Sequence, residues 1–153
     1  MKTIAILPAR KGSKRIKHKN IIDFNGKPMI FWPIKVLKES KIFDEIYVST
    51  DSPDIQSLAI KYNVKCPFLR PKSLSNDKTN TIDVVKHLID YLKSKNIKPK
   101  LVCCVYPTSV FINESILLKG LKKLNENNFD FVFTASKIDS RFLRSFYLDN
   151  FSK

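Results

Sequence analysis

The chain has 153 residues, long enough for one domain with a sizeable core, and its 43% hydrophobic and 27% charged residues exclude a disordered chain. No apolar run approaches the ~20 residues that a membrane span needs, so no membrane partner is expected. The formal net charge of +14 points first to nucleic acid, but Lys outnumbers Arg 23 to 5, and beyond one N-terminal loop the lysines are scattered, as at Lys61, Lys86, Lys93 and Lys119. Most of that charge reads as solvated surface, and nucleic acid is not the expected partner.

Residues 3–7 form an apolar run that predicts a buried strand. The loop after it, residues 10–19, holds six basic residues with Gly12 and Ser13 among them. Small residues let backbone N–H groups approach phosphate oxygens, while Lys and Arg side chains neutralise their charge. Such a loop suits a polyanion, either a nucleotide or a nucleic acid. Residues 28–39 predict a helix that opens on a proline and carries Ile30, Ile34 and Leu37. Residues 45–49 predict a second strand. Ser52 then caps a helix over 53–62 that buries Ile55, Leu58 and Ala59. Asp51 reads either as a ligand contact or as the acidic start of that helix. A third helix covers 83–94, with Val84, Val85, Leu88 and Leu92 at helical spacing and Thr79 or Thr81 as its cap. Residues 101–105 form a strand in which Cys103 and Cys104 point to opposite faces. Asn113 caps a helix over 113–125. Residues 129–134 predict another strand, with Phe129, Phe131 and Phe133 as core, and 141–148 one more that enters a turn at Asp149-Asn150 with no returning strand.

This β-α-β-α order, with mostly uninterrupted apolar strands, predicts a three-layer α/β/α fold with a mostly parallel sheet buried on both faces. Ligands in such sheets sit at the C-terminal ends of the strands, where the informative loops gather. Three cysteines without metal-type spacing, together with the absence of a leader pattern before the first strand, fit reduced thiols and a cytoplasmic protein. His18 and His87 form no cluster with them. Neither G-x-G-x-x-G nor G-x-x-x-x-G-K-[ST] occurs, since Gly12, Gly26 and Gly120 are the whole glycine complement. This is neither an ordinary dinucleotide site nor a Walker-type ATPase.

Four motifs in order complete the picture. They are Ala9-Arg10-Lys11-Gly12-Ser13-Lys14-Arg15 with Lys19-Asn20 and Asn25-Gly26-Lys27-Pro28-Met29; Val48-Ser49-Thr50-Asp51; Leu69-Arg70-Pro71 running on to Ser75-Asn76-Asp77; and Tyr106-Pro107-Thr108-Ser109. Together they resemble the cytidylyltransferases that activate nonulosonic (sialic-like) acids. Cys103-Cys104-Val105-Tyr106 and the phenylalanine-rich C-terminal segments look like the pseudaminic acid branch, because sialic acid enzymes typically carry Gln where Tyr106 stands. The resemblance implies a single nucleotidyltransferase-like domain over 1–153, lacking the family's C-terminal part. It implies transfer of CMP from CTP to pseudaminic acid with release of pyrophosphate, or, as alternatives, to sialic or legionaminic acid. A basic nucleic-acid-binding α/β domain is the alternative from another class. Arg10 and Lys19 are implied as catalytic. Ala9, Arg10, Gly12, Ser13, Lys14, Lys19, Asn20, Arg70, Asn76 and Asp77 are implied as nucleotide-binding, and Tyr106, Thr108 and Ser109 as substrate-binding. The family also implies a homodimer and Mg²⁺, although its usual acidic pair is missing from this sequence and no metal ligand is assigned. A chain of this length is expected to bind CTP weakly and to turn over slowly or not at all.

Overall fold

Strand β1 (Lys2–Pro8) lies at the centre of a three-stranded sheet, and Ile4, Ala5, Ile6 and Leu7 are fully buried in it. The structure is a computed structural model that describes residues 2–13, 16–126 and 129–137. Two compact units divide it, Met1–Leu118 and Lys119–Lys153.

The basic loop after β1 leads into a two-residue hairpin. Asn25 (φ 52°) and Gly26 (φ 76°) take left-handed conformations, so Asp23–Phe24 (β2) and Lys27–Pro28 (β3) pair antiparallel. Asn-Gly is the pair such a turn favours. Pro28 therefore belongs to a strand, and helix α1 begins only at Phe31 (Phe31–Glu39), three residues later than the sequence predicts. Strand β4 (Glu45–Ser49) follows as expected, then α2 (Pro53–Lys61). Ser52 has the extended backbone of a cap, but its side chain makes no capping bond. Helix α3 (Thr81–Ser94) is capped by Asn80 rather than by Thr79 or Thr81, because Asn80 Oδ1 accepts from the Asp83 N–H at 2.8 Å. Strand β5 spans Pro99–Cys104. Helix α4 (Glu114–Glu126) is capped by Asn113, whose Oδ1 accepts from the Ile116 N–H at 3.0 Å.

The sheet order is β4-β1-β5, and both pairings are parallel. The pleat of β1 sends its side chains into two cores. Ala5 and Leu7 join Ile34, Leu37, Ile55, Ala59 and Leu117, which come from α1, α2 and α4. Ile4 and Ile6 join Tyr47 with Leu88 and Leu92 of α3. Helices thus cover both faces, which makes the three layers the sequence predicts. From β1 the chain crosses to β4 on one side and later returns to β5 on the other. The C-terminal end of β1 is therefore a topological switch point, where open α/β sheets leave a crevice.

Two expectations fail. Burial alternates along β5 between half-buried and exposed residues, so this outermost strand of the described sheet is not covered on both faces. Residues 129–134 form no strand: among the described residues no backbone pairs with them, and Phe129, Phe131 and Phe133 are exposed rather than core. An apolar alternating run supplies only half of a strand, because a ladder needs a neighbour to accept its hydrogen bonds. Phe131 and Phe133 stack on each other instead, with centroids 6.1 Å apart. The expected strand over 141–148 lies outside the described residues.

Candidate functional site

Three loops meet at the end of β1. The Ala9 N–H donates to the Ser49 carbonyl at 2.9 Å, which carries the β1–β4 ladder one residue further and fixes where the basic loop departs. Asn20, 7% exposed, closes that loop. Its Nδ2 donates to the Arg10 carbonyl at 2.8 Å, while its own carbonyl accepts the Ile30 N–H at 3.0 Å. Asp51 supplies the third tie, since its Oδ1 accepts the Lys11 N–H at 2.7 Å. Asp51 is thus an anchor of the basic loop, a role the sequence does not advertise.

The second loop comes from beyond β4. Lys65 and Leu69 make parallel bridges to Tyr47 and Thr50, and the Arg70 N–H donates to the Thr50 carbonyl at 2.6 Å. This extension sets Arg70 beside Arg10. Arg70 is 5% exposed, and its Nε donates to Ser75 Oγ at 3.2 Å. Burial holds its guanidinium below the ordinary arginine value; Asp51 opposes that shift, and the charge of Arg10 adds to it. Ser75 Oγ in turn donates to the Pro71 carbonyl at 3.0 Å, so Arg70 is held by a fixed partner. Arg10 pairs instead with Asp77, Nη1 to Oδ1 at 2.6 Å. The third loop follows β5. Tyr106 OH and Thr81 Oγ1 lie 2.6 Å apart, joining this loop to the first turn of α3.

Together these loops enclose a cavity of about 200 Å³. Arg10, Gly12, Ser13, Lys19, Asn20, Arg70, Asn76, Asp77, Tyr106 and Thr108 all line it. Ala9 does not: its side chain is fully buried in the core, and it acts by fixing the loop's exit. Ser109 is also absent from the lining; its N–H donates to the Tyr106 carbonyl at 2.9 Å and closes a turn. Lys14 lies outside the described residues. Asn76 lines the cavity, yet its amide is committed to its own turn: Oδ1 accepts from the Lys78 and Thr79 N–H groups, and Nδ2 donates to the Ser73 carbonyl. The sequence reading missed the start of α3, where Asn80, Thr81 and Val84 also face the cavity. The available signal was the threonine-asparagine-threonine run before that helix, which reads as a choice of caps.

The site is cationic and offers N–H and hydroxyl donors, a set that binds phosphate. It does not fit a protein-built magnesium site. Among the described residues no three His, Cys, Asp or Glu side chains cluster, and Asp77, the lining carboxylate, is engaged by Arg10. No described helix is long and apolar enough to cross a membrane.

The profile of the cytidylyltransferase family matches residues 4–145. The chain is 43% identical over 149 residues to the pseudaminic acid cytidylyltransferase of Campylobacter jejuni, covering 97% of this chain and 64% of that protein. It is 36% identical over 111 residues to the CMP-N,N'-diacetyllegionaminic acid synthase of Legionella pneumophila, covering 72% of this chain and 48% of that one. Among solved structures, a CMP:2-keto-3-deoxy-manno-octonic acid synthetase complexed with CTP superposes with a TM-score of 0.68 at 20% identity, over 84% of this chain and 49% of that one, a likeness of fold. On the match of the profile to nearly the whole sequence, the chain belongs to the cytidylyltransferase family.

Proposed function

We propose that this chain carries the nucleotide-binding part of a pseudaminic acid cytidylyltransferase, which joins CMP from CTP to pseudaminic acid and releases pyrophosphate. The observation that carries this reading is the convergence of Arg10, Lys19 and Arg70 on a cavity at the switch point of the sheet. The 43% identity to the Campylobacter protein supports the choice of nucleotide and acceptor. In the reaction the sugar's anomeric hydroxyl attacks the α-phosphorus, the bond to the β-phosphate breaks, and pyrophosphate departs. Transfer of this kind depends on positioning and on charge stabilisation. Arg10 presents a two-pronged donor to phosphate oxygens, and Lys19 adds charge at the α-phosphate or the leaving group. The backbone at Gly12 and Ser13 supplies N–H donors. Arg70, held by its neighbours, forms a fixed wall beside the nucleotide. Tyr106 and Thr108 stand on the acceptor side.

The acceptor is tested by competition binding. CMP conjugates of pseudaminic, legionaminic and sialic acid are titrated against CTP on the chain. The pseudaminic conjugate is expected to displace CTP at the lowest concentration. Equal or better displacement by the sialic conjugate contradicts the choice of acceptor.

A further inference from the structure

We propose that Asp77 is a resident counter-ion, which occupies Arg10 while the cavity is empty and is displaced by an incoming polyphosphate. The inference rests on the phosphate reading above and adds a competition to it. Arg10 Nη1 and Asp77 Oδ1 are 2.6 Å apart, and their side chains are 35% and 41% exposed. Neither side chain is buried in the core. The contrast with Arg70 is sharp: that guanidinium is 5% exposed and tied to Ser75, so it cannot swing. Two guanidinium groups at one cavity repel, and a carboxylate on the more exposed one relieves the repulsion in the empty site. The carboxylate holds Nη1 of Arg10, so a phosphate that takes the two-pronged fork of this guanidinium must displace it there. The apparent affinity for polyphosphate is then lowered in proportion to the share of molecules in which the pair is closed.

The test is calorimetric titration of inorganic pyrophosphate into the 153-residue chain. The variants are Asp77→Asn, Asp77→Ser, Arg10→Ala and the double variant Arg10→Ala/Asp77→Asn. Asp83→Asn, in the first turn of α3 and outside the cavity lining, controls for the loss of one negative charge. For a pair this exposed, Asp77→Asn and Asp77→Ser are expected to bind about 2- to 5-fold tighter than wild type. Asp83→Asn is expected to match wild type, and Asp77→Asn to give no gain once Arg10 is Ala. Unchanged or weaker binding in both Asp77 variants, beside normal wild-type binding, overturns the displacement and leaves the phosphate reading standing. A gain that survives Arg10→Ala, or that Asp83→Asn reproduces, overturns it equally. Failure of pyrophosphate to bind any form overturns the phosphate reading and this inference with it.

Discussion

Arg70 carries a positive charge at 5% exposure, and a charge so buried persists only where opposite charge and hydrogen bonds compensate it. Asp51 supplies the charge and Ser75 the hydrogen bond. Asp51 also holds the Lys11 N–H, so one carboxylate steadies both the buried cation and the basic loop. Asp51→Asn keeps the shape and removes the charge. It is expected to cost about 1–3 kcal/mol in urea unfolding, and an unchanged midpoint would show that Arg70 does not depend on it. A second carboxylate works at the opposite end of the sheet. Glu45 accepts from Lys2 Nζ and from Lys65 Nζ at 2.8 Å, and from the Tyr47 hydroxyl. Burial alone would raise its carboxyl, but these donors outweigh burial and hold it down at about 2. A depressed carboxyl stabilises the fold above its unfolded value near 4.5, and that contribution is lost as pH falls from there toward 2. Glu45→Gln should therefore lower stability by about 1–2 kcal/mol at neutral pH and flatten the acid limb of the stability profile below pH ~4.5. Parallel acid limbs in the two proteins would contradict it.

Helix α3 shows how an element end serves the site. Asn80 caps it, Thr81 meets Tyr106, and Thr79 Oγ1 bonds within the turn below at Asn76 and Ser73. Asn80→Ala removes the capping acceptor and should cost about 1 kcal/mol by thermal unfolding, with weaker CTP binding, since the same turn borders the cavity. No loss of stability would assign the start of the helix to tertiary packing alone. Much of this layout is legible in the sequence. Residues 45–49 read as a strand and form one, and Asn113 caps α4 as read. Pro28 suits a helix opening, but the left-handed Asn25-Gly26 pair before it turns the chain into a hairpin, so Pro28 ends in a strand. The sequence suggests Thr79 or Thr81 as the cap, but Thr79 bonds locally to Asn76 and Thr81 meets Tyr106 at the cavity, which leaves Asn80 to cap the helix.

Across the whole molecule the motif residues that the structure brings to one cavity are legible, because a basic loop following a buried strand is a local signal. The sequence cannot show the ties that are long-range, such as Asp51 to Lys11 or Arg10 to Asp77, which join residues far apart in the chain. It also misleads at residues 129–134, where periodicity promises a strand whose partner does not stand among the described residues. A net charge of +14 suits nucleic acid or a single small polyanion, and the structure brings Arg10, Lys19 and Arg70 together at one cavity. The most direct measurement is calorimetric titration of CTP, ATP, GTP and UTP into the wild-type chain and Arg10→Ala. The account predicts that CTP binds most tightly and that Arg10→Ala weakens it about 10- to 100-fold, the loss expected for a charge-assisted contact. Equal binding of all four nucleotides, or CTP binding indifferent to Arg10, would contradict it.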